Sequence, residues 1–172
     1  MRGFILRGDH RLMRRANNWE APRWVQFYAL AASRGGDGWL WYAIGLAILL
    51  FGGSGRFAAV AAAALAAALS VVLFNWMKRF AGRKRPCELE PHRWATLLPP
   101  DQFSFPSGHT MTAFAVAISL SLFYPFLTAV LLFCAFSIAL SRILLGMHFL
   151  SDVIAGAVLG TGLAYISSLI FQ

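Results

Sequence analysis

The chain has 172 residues, 59% of them hydrophobic and only 13% charged, with a formal net charge of +8. That length fits one domain, and that composition excludes an ordinary water-soluble protein. The charge does not point to nucleic acid, because the basic residues divide between the N-terminus and one loop bordered by apolar runs; anionic lipid head groups fit better as partners.

Residues 1–15 mix Phe4, Ile5, Leu6, Leu12 and Met13 with five arginines, the pattern of a helix lying in a membrane interface. They lack the compact apolar core and small-residue cleavage site of a signal peptide, so no removable leader is expected. Residues 24–33 are apolar but short and bounded by Arg23 and Arg34. They predict a second interfacial or re-entrant helix, with a short tilted crossing as the alternative.

Four charge-free runs follow, 38–55, 57–77, 110–141 and 153–172, and a helix needs about 20 such residues to cross the hydrocarbon core. The third run is too long for one span. Tyr124-Pro125-Phe126 falls near its middle, where proline stops a helix and the aromatics suit the interface. The expected spans are therefore 38–53, 57–77, 109–124, 126–142 and 152–171. This is an all-α, polytopic transmembrane helix bundle of five spans, or six if 24–34 crosses.

Residues 1–36 are the interfacial part and 37–172 the bundle, with 78–107 as its site loop. Alanines in 58–68 predict a closely packed helix face. The loop from 79 to 105 carries Glu88, Glu90, His92, Arg93 and Asp101 and is rich in proline, which suits a cap over a site. Cys134 lies in an expected span and Cys87 in the loop, so neither a disulfide nor a cysteine metal site is expected.

The chemistry collects in three pieces: Lys78 with Arg85-Pro86; Pro106-Ser107-Gly108-His109; and Ser141-Arg142 followed by His148 and Asp152. With helices of alternating direction, all of them emerge on one membrane face. Three cations, two histidines and one carboxylate suit an oxyanion and would repel a metal cation. A spacing of four places His148 and Asp152 on one helix face, where the carboxylate can fix the imidazole tautomer and leave the other nitrogen as a nucleophile. The plainer alternative is a helix cap at Ser151 or Asp152. His109 sits at an expected helix N-terminus, beside a serine donor and a glycine that permits close approach, and could protonate a leaving oxygen. Lys78, Arg85 and Arg142 taken singly could be snorkelling anchors; taken together they form a phosphate cradle.

Lys78 with six residues to Arg85-Pro86, then Pro106-Ser107-Gly108-His109, then Ser141-Arg142 with five residues to His148 and three more to Asp152, resemble the three signature motifs of the type 2 phosphatidic acid phosphatase superfamily. The resemblance covers roughly residues 38 to 171. It implies a phosphohistidine formed on His148, oriented by Asp152, with His109 as the acid for the leaving group. It also implies that Lys78, Arg85, Ser107, Gly108 and Arg142 hold the phosphate, and that neither metal nor cofactor is needed.

The implied activity is a membrane lipid phosphatase acting on a lipid phosphate such as phosphatidylglycerol phosphate, phosphatidic acid or undecaprenyl pyrophosphate. Three alternatives keep the same site: a lipid phosphotransferase, for instance on lipid A; a non-catalytic lipid-phosphate binder or translocator; and a vanadate-dependent haloperoxidase, whose known forms are soluble and larger. The expected location is a bacterial inner membrane. The family habit puts the site on the outer face, whereas a five-span layout puts every Lys and Arg except Arg56 on the site side, which favours the cytoplasmic face.

Overall fold

The computed structural model describes residues 2–90 and 102–172, with side chains from residue 7 onward. Its described elements are helical: α1 (Arg2–Asn18), α2 (Arg23–Gly35), α3 (Trp39–Phe51), α4 (Arg56–Ala81), a short α5 (Pro86–Leu89), α6 (Gly108–Phe123), α7 (Thr128–Leu144) and α8 (Leu150–Phe171). A 3-10 turn, Pro125–Leu127, joins α6 to α7, so the proline inside the long apolar run does divide it into two helices.

Helix α6 is the axis of the bundle. It packs against α4, α7 and α8 and buries residues all round its circumference, from Thr110 and Met111 to Leu120 and Ser121. Small residues make this possible. Helix α4 turns Ala59, Ala62, Ala63, Ala66 and Ser70 inward, a three-and-four spacing that gives one smooth face. Helix α8 turns Gly156 and Gly160 towards α6, and a Cβ at Gly160 would lie 2.2 Å from the Met111 carbonyl oxygen. The two backbones therefore touch, which only glycine permits.

The outward faces are apolar. Phe57, Val72, Trp76 and Phe80 on α4, Phe133 on α7 and Leu169 on α8 are all exposed, as expected of surfaces solvated by lipid chains. Among the described residues, three helical segments are long and apolar enough to cross a membrane: Arg56–Ala81, Pro125–Leu144 and Leu150–Phe171. Helices Trp39–Phe51 and Gly108–Phe123 are apolar but shorter. The expected span at 38–53 stops early because Gly52, Gly53 and Gly55 follow it, and absence of charge alone does not register glycine's poor helix propensity.

Helices α1 and α2 lie at the end of the bundle that carries the polar motifs. Val25 and Ala29 of α2 pack with Leu145 and Met147, and the Tyr28 hydroxyl meets Ser137 Oγ on α7. From α1, Asp9 bonds to the first turn of α8. His92, Arg93 and Asp101 of the loop lie outside the described residues. Cys87 and Cys134 are free thiols.

Candidate active site

Lys78, in the last turn of α4, is 7% exposed; Arg85, just before α5, is 1% exposed; Arg142, in the last turn of α7, is 3% exposed. A buried cation costs several kcal/mol of lost hydration unless the site returns it. Three of them grouped around one imidazole define a place where an anion is favoured. Lys78 Nζ lies 5.0 Å from the Phe74 ring centroid, Arg85 Nη1 donates to the Met147 carbonyl at 2.9 Å, and Arg142 Nη1 donates to Ser33 Oγ.

His148 is 2% exposed and belongs to the turn between α7 and α8. Its N–H and that of Met147 both donate to the Arg142 carbonyl, at 3.1 and 3.0 Å. Its Nδ1 lies 2.6 Å from the Ser104 carbonyl oxygen, and its Nε2 lies 3.3 Å from Arg85 Nη1. A carbonyl can only accept, so Nδ1 carries the proton and Nε2 keeps the lone pair. Burial, and then the charges of Arg142, Arg85 and Lys78, hold the imidazole pKa well below its ordinary 6.5. The ring is therefore neutral at neutral pH and presents an unprotonated nitrogen among cations.

The helical geometry expected for His148 and Asp152 needs correcting. Helix α8 begins at Leu150, so His148 precedes the helix and does not share a helical face with Asp152. The carboxylate stands 3.8 Å from Nδ1, and the direct bond goes to Ser104 instead. A small antiparallel bridge pins Ser104 there, pairing Lys84 with Phe103 and sending the Ser104 N–H to the Arg83 carbonyl at 2.8 Å. Asp152 is fully buried; its Oδ2 accepts the Phe149 N–H at 2.9 Å and its Oδ1 faces Arg83 Nη1 at 2.6 Å. The capping reading is thus realised alongside proximity to the histidine.

His109, in the first turn of α6, places Nε2 2.7 Å from Asp37 Oδ1, in the turn between α2 and α3. Gly108 faces the Phe74 ring, where a Cβ would meet ring carbons at 3.1 Å. The Ser107 hydroxyl is buried against Thr110 Oγ1 at 2.9 Å, and the Ser107 N–H donates to the Asp152 carbonyl at 3.1 Å. That last bond ties the α6 and α8 termini together. Beside His109 opens an apolar groove of about 690 Å³ between α3, α4 and α6, lined by Trp41, Gly45, Ala64, Ala67, Ala68 and Val116 among others. His109 and Gly108 line it, whereas His148, Arg85 and Arg142 do not.

All eight sequence-predicted residues therefore gather at one end of the bundle. Sequence reasoning missed Asp9, Ser33, Asp37, Arg83 and Ser104 as partners of that site. Asp9 left one trace, as the sole carboxylate in an arginine-rich helix; Ser104 left none.

A buried cationic cradle holding a neutral histidine, at one end of a lipid-facing helix bundle, defines an oxyanion-handling membrane protein. Its lineage agrees: residues 59–172 match the family model of the PAP2 superfamily, and the chain belongs to that superfamily. It is 31% identical over 106 residues to a lipid A 1-phosphatase of Rhizobium johnstonii, which is 59% of this chain and 43% of that protein. A lipid A 1-phosphatase of Rhizobium etli is 30% identical over 59% of this chain and 46% of its own length. The chain thus spans less than half the length of these two relatives.

The crystal structure of Aquifex aeolicus LpxE superposes with a TM-score of 0.76 at 32% identity, over 92% of this chain and 93% of that one. A transmembrane PAP2-type phosphatidylglycerolphosphate phosphatase from Bacillus subtilis shares the fold, with a TM-score of 0.73 at 21% identity, over 96% and 85% of the two chains.

Proposed function

We propose that the protein is a metal-independent phosphatase that removes a phosphate from a membrane lipid through a phosphohistidine on His148. The observation carrying this reading is the neutral Nε2 of His148 held among Lys78, Arg85 and Arg142, all buried. Such a nitrogen can attack phosphorus while the cations neutralise the charge that develops on the phosphoryl oxygens. As the imidazole becomes cationic, the Ser104 carbonyl and the Asp152 carboxylate stabilise it. His109 gives a proton to the departing lipid oxygen and later takes one from the attacking water.

The groove supports a lipid as leaving group. It meets the site at the proposed acid and not at the nucleophile, which is the side on which the departing alcohol and its chains must lie. The names of the two Rhizobium relatives make lipid A the first substrate to try, ahead of phosphatidylglycerol phosphate, phosphatidic acid and undecaprenyl pyrophosphate. Phosphate labelled in the lipid distinguishes hydrolysis from transfer: release to water marks a phosphatase, and recovery on a second lipid marks a phosphotransferase. His148→Ala is expected to lose the labelled phosphoenzyme and reduce turnover by about a thousandfold or more. Wild-type turnover in that variant would overturn the mechanism.

In this reading α3, α4, α6, α7 and α8 are the five spans, in a bacterial inner membrane, and α1 and α2 lie across the site face. The contacts of both α1 and α2 with the site end support an interfacial placement over a crossing. We take the outer face, the family habit, as the side to test, although the distribution of basic residues favours the other. Cysteine labelling in intact cells is expected to mark a position near His92 and spare one near Arg56. The reverse pattern would place the site in the cytoplasm.

A further inference from the structure

Asp9 is buried to 5% exposure although it sits in an arginine-rich interfacial helix. Its Oδ1 accepts the backbone N–H of Ser151 at 3.1 Å. Its Oδ2 accepts Arg83 Nη2 at 2.7 Å and the Ser151 hydroxyl at 2.5 Å. Arg83 turns its other terminal nitrogen, Nη1, to Asp152 Oδ1 at 2.6 Å and Ser151 Oγ at 2.7 Å. Its guanidinium carbon lies 4.1 Å from the centroid of the Phe149 ring, and that ring in turn meets His10 of α1 at 5.4 Å between centroids.

This arrangement completes a helix end. The first N–H groups of α8 have no partner within the helix. Asp152 takes that of Phe149 and Asp9 takes that of Ser151, so α1 supplies a cap to a helix that lies far along the chain. One guanidinium lies between the two carboxylates, and a buried charge is stable only when so paired. The beginning of α8, and with it the turn carrying His148, is therefore set in part by the docking of α1.

We propose that Asp9 and Arg83 are positioning residues for the phosphate site. Asp9 holds Arg83, and Arg83 holds Asp152 beside the ring of His148. The claim rests on the phosphatase reading for its kinetic consequence, but not for its structural one. Without Asp9, the Arg83 charge falls on Asp152 alone and the α8 terminus loses a cap. The nucleophile is then misplaced and its cationic product less well supported. Lys78, Arg85 and Arg142 are untouched, so oxyanion binding survives.

The test uses the full chain in lipid vesicles, with Asp9→Ala and the milder Asp9→Asn, which keeps an acceptor for the Ser151 N–H. Turnover of a lipid phosphate and the affinity for inorganic phosphate are measured on the same preparations. Asp9→Ala is expected to lower kcat at least about tenfold, since small misplacements of reacting groups cost that much, with KM and the affinity for inorganic phosphate unchanged. Asp9→Asn should fall between it and the wild type. An unchanged kcat in Asp9→Ala overturns the proposal, and so does a parallel loss of affinity for inorganic phosphate, which marks a merely structural role. If the wild type releases phosphate from no lipid, the phosphatase reading fails on its own. The positioning claim is then decided by the His148 Nδ1 proton resonance, which must shift in Asp9→Ala; an unmoved resonance overturns it.

Discussion

His148 owes its chemistry to neighbours that are remote in sequence. The Ser104 carbonyl selects the tautomer, and burial, followed by three cations, keeps the ring neutral. The direction of the effect fixes its pH signature. A histidine whose folded pKa is lowered binds its proton more readily unfolded, so the protein loses stability as pH falls below 6.5, the ordinary value. The acid limb of kcat/KM, which reports the free enzyme, is expected below that value as well. Removing one cation by Arg142→Gln should move the His148 midpoint upward, followed by NMR of the labelled imidazole; a downward shift would contradict the electrostatic account. At this scale the motifs identified the residues that gather, because charges and histidines stand out in an apolar chain. They could not reveal that His148 bonds a backbone carbonyl, since a carbonyl belongs to every residue and leaves no mark in sequence.

Among the elements, the contact of α6 with α8 sets how closely the helix ends carrying His109 and Asp152 approach. Gly160 admits the Met111 carbonyl and Gly156 admits that of Ser107, where a Cβ would stand at 2.7 Å. Gly160→Val is expected to force these helices apart, costing about 1–3 kcal/mol by overpacking. Thermal unfolding in detergent would register this as a lowered midpoint, with activity lost in parallel because Ser107 and Asp152 are joined across the same contact. Gly162, with open space around it, provides the control: Gly162→Val should leave activity near wild type. The charge-free runs placed α4, α7 and α8 well and overextended α3, for the glycine reason given above. The role of α1 was only half legible. Its amphipathic pattern predicted an interfacial helix, but a lone carboxylate among arginines reads as one more surface charge until its partners are known.

For the molecule as a whole, the proposed reaction divides its work between an apolar groove and an ionic cradle. Ala64 and Ala68 sit one turn apart on α4 and line the groove. Ala64→Phe or Ala68→Phe should fill it and raise KM about five- to tenfold for a long-chain lipid phosphate, while a short water-soluble phosphate ester keeps its KM. An equal effect on both substrates would remove the groove from the binding site. The three motifs made the bundle and its polar end legible because each lies at a helix end. The groove was not, since it opens between three helices that no linear pattern connects.

On the proposed orientation, α4 and α6 are unequal spans. With 26 and 16 residues at 1.5 Å each, they measure about 39 and 24 Å against a hydrocarbon core of about 30 Å. One overshoots the bilayer and the other falls short. His109 sits in the first turn of the short one and Lys78 in the last turn of the long one, so two walls of one site stand on helices of very different length. A change in bilayer thickness therefore loads the two walls unequally, and turnover in vesicles is expected to vary with acyl-chain length while the protein itself stays the same.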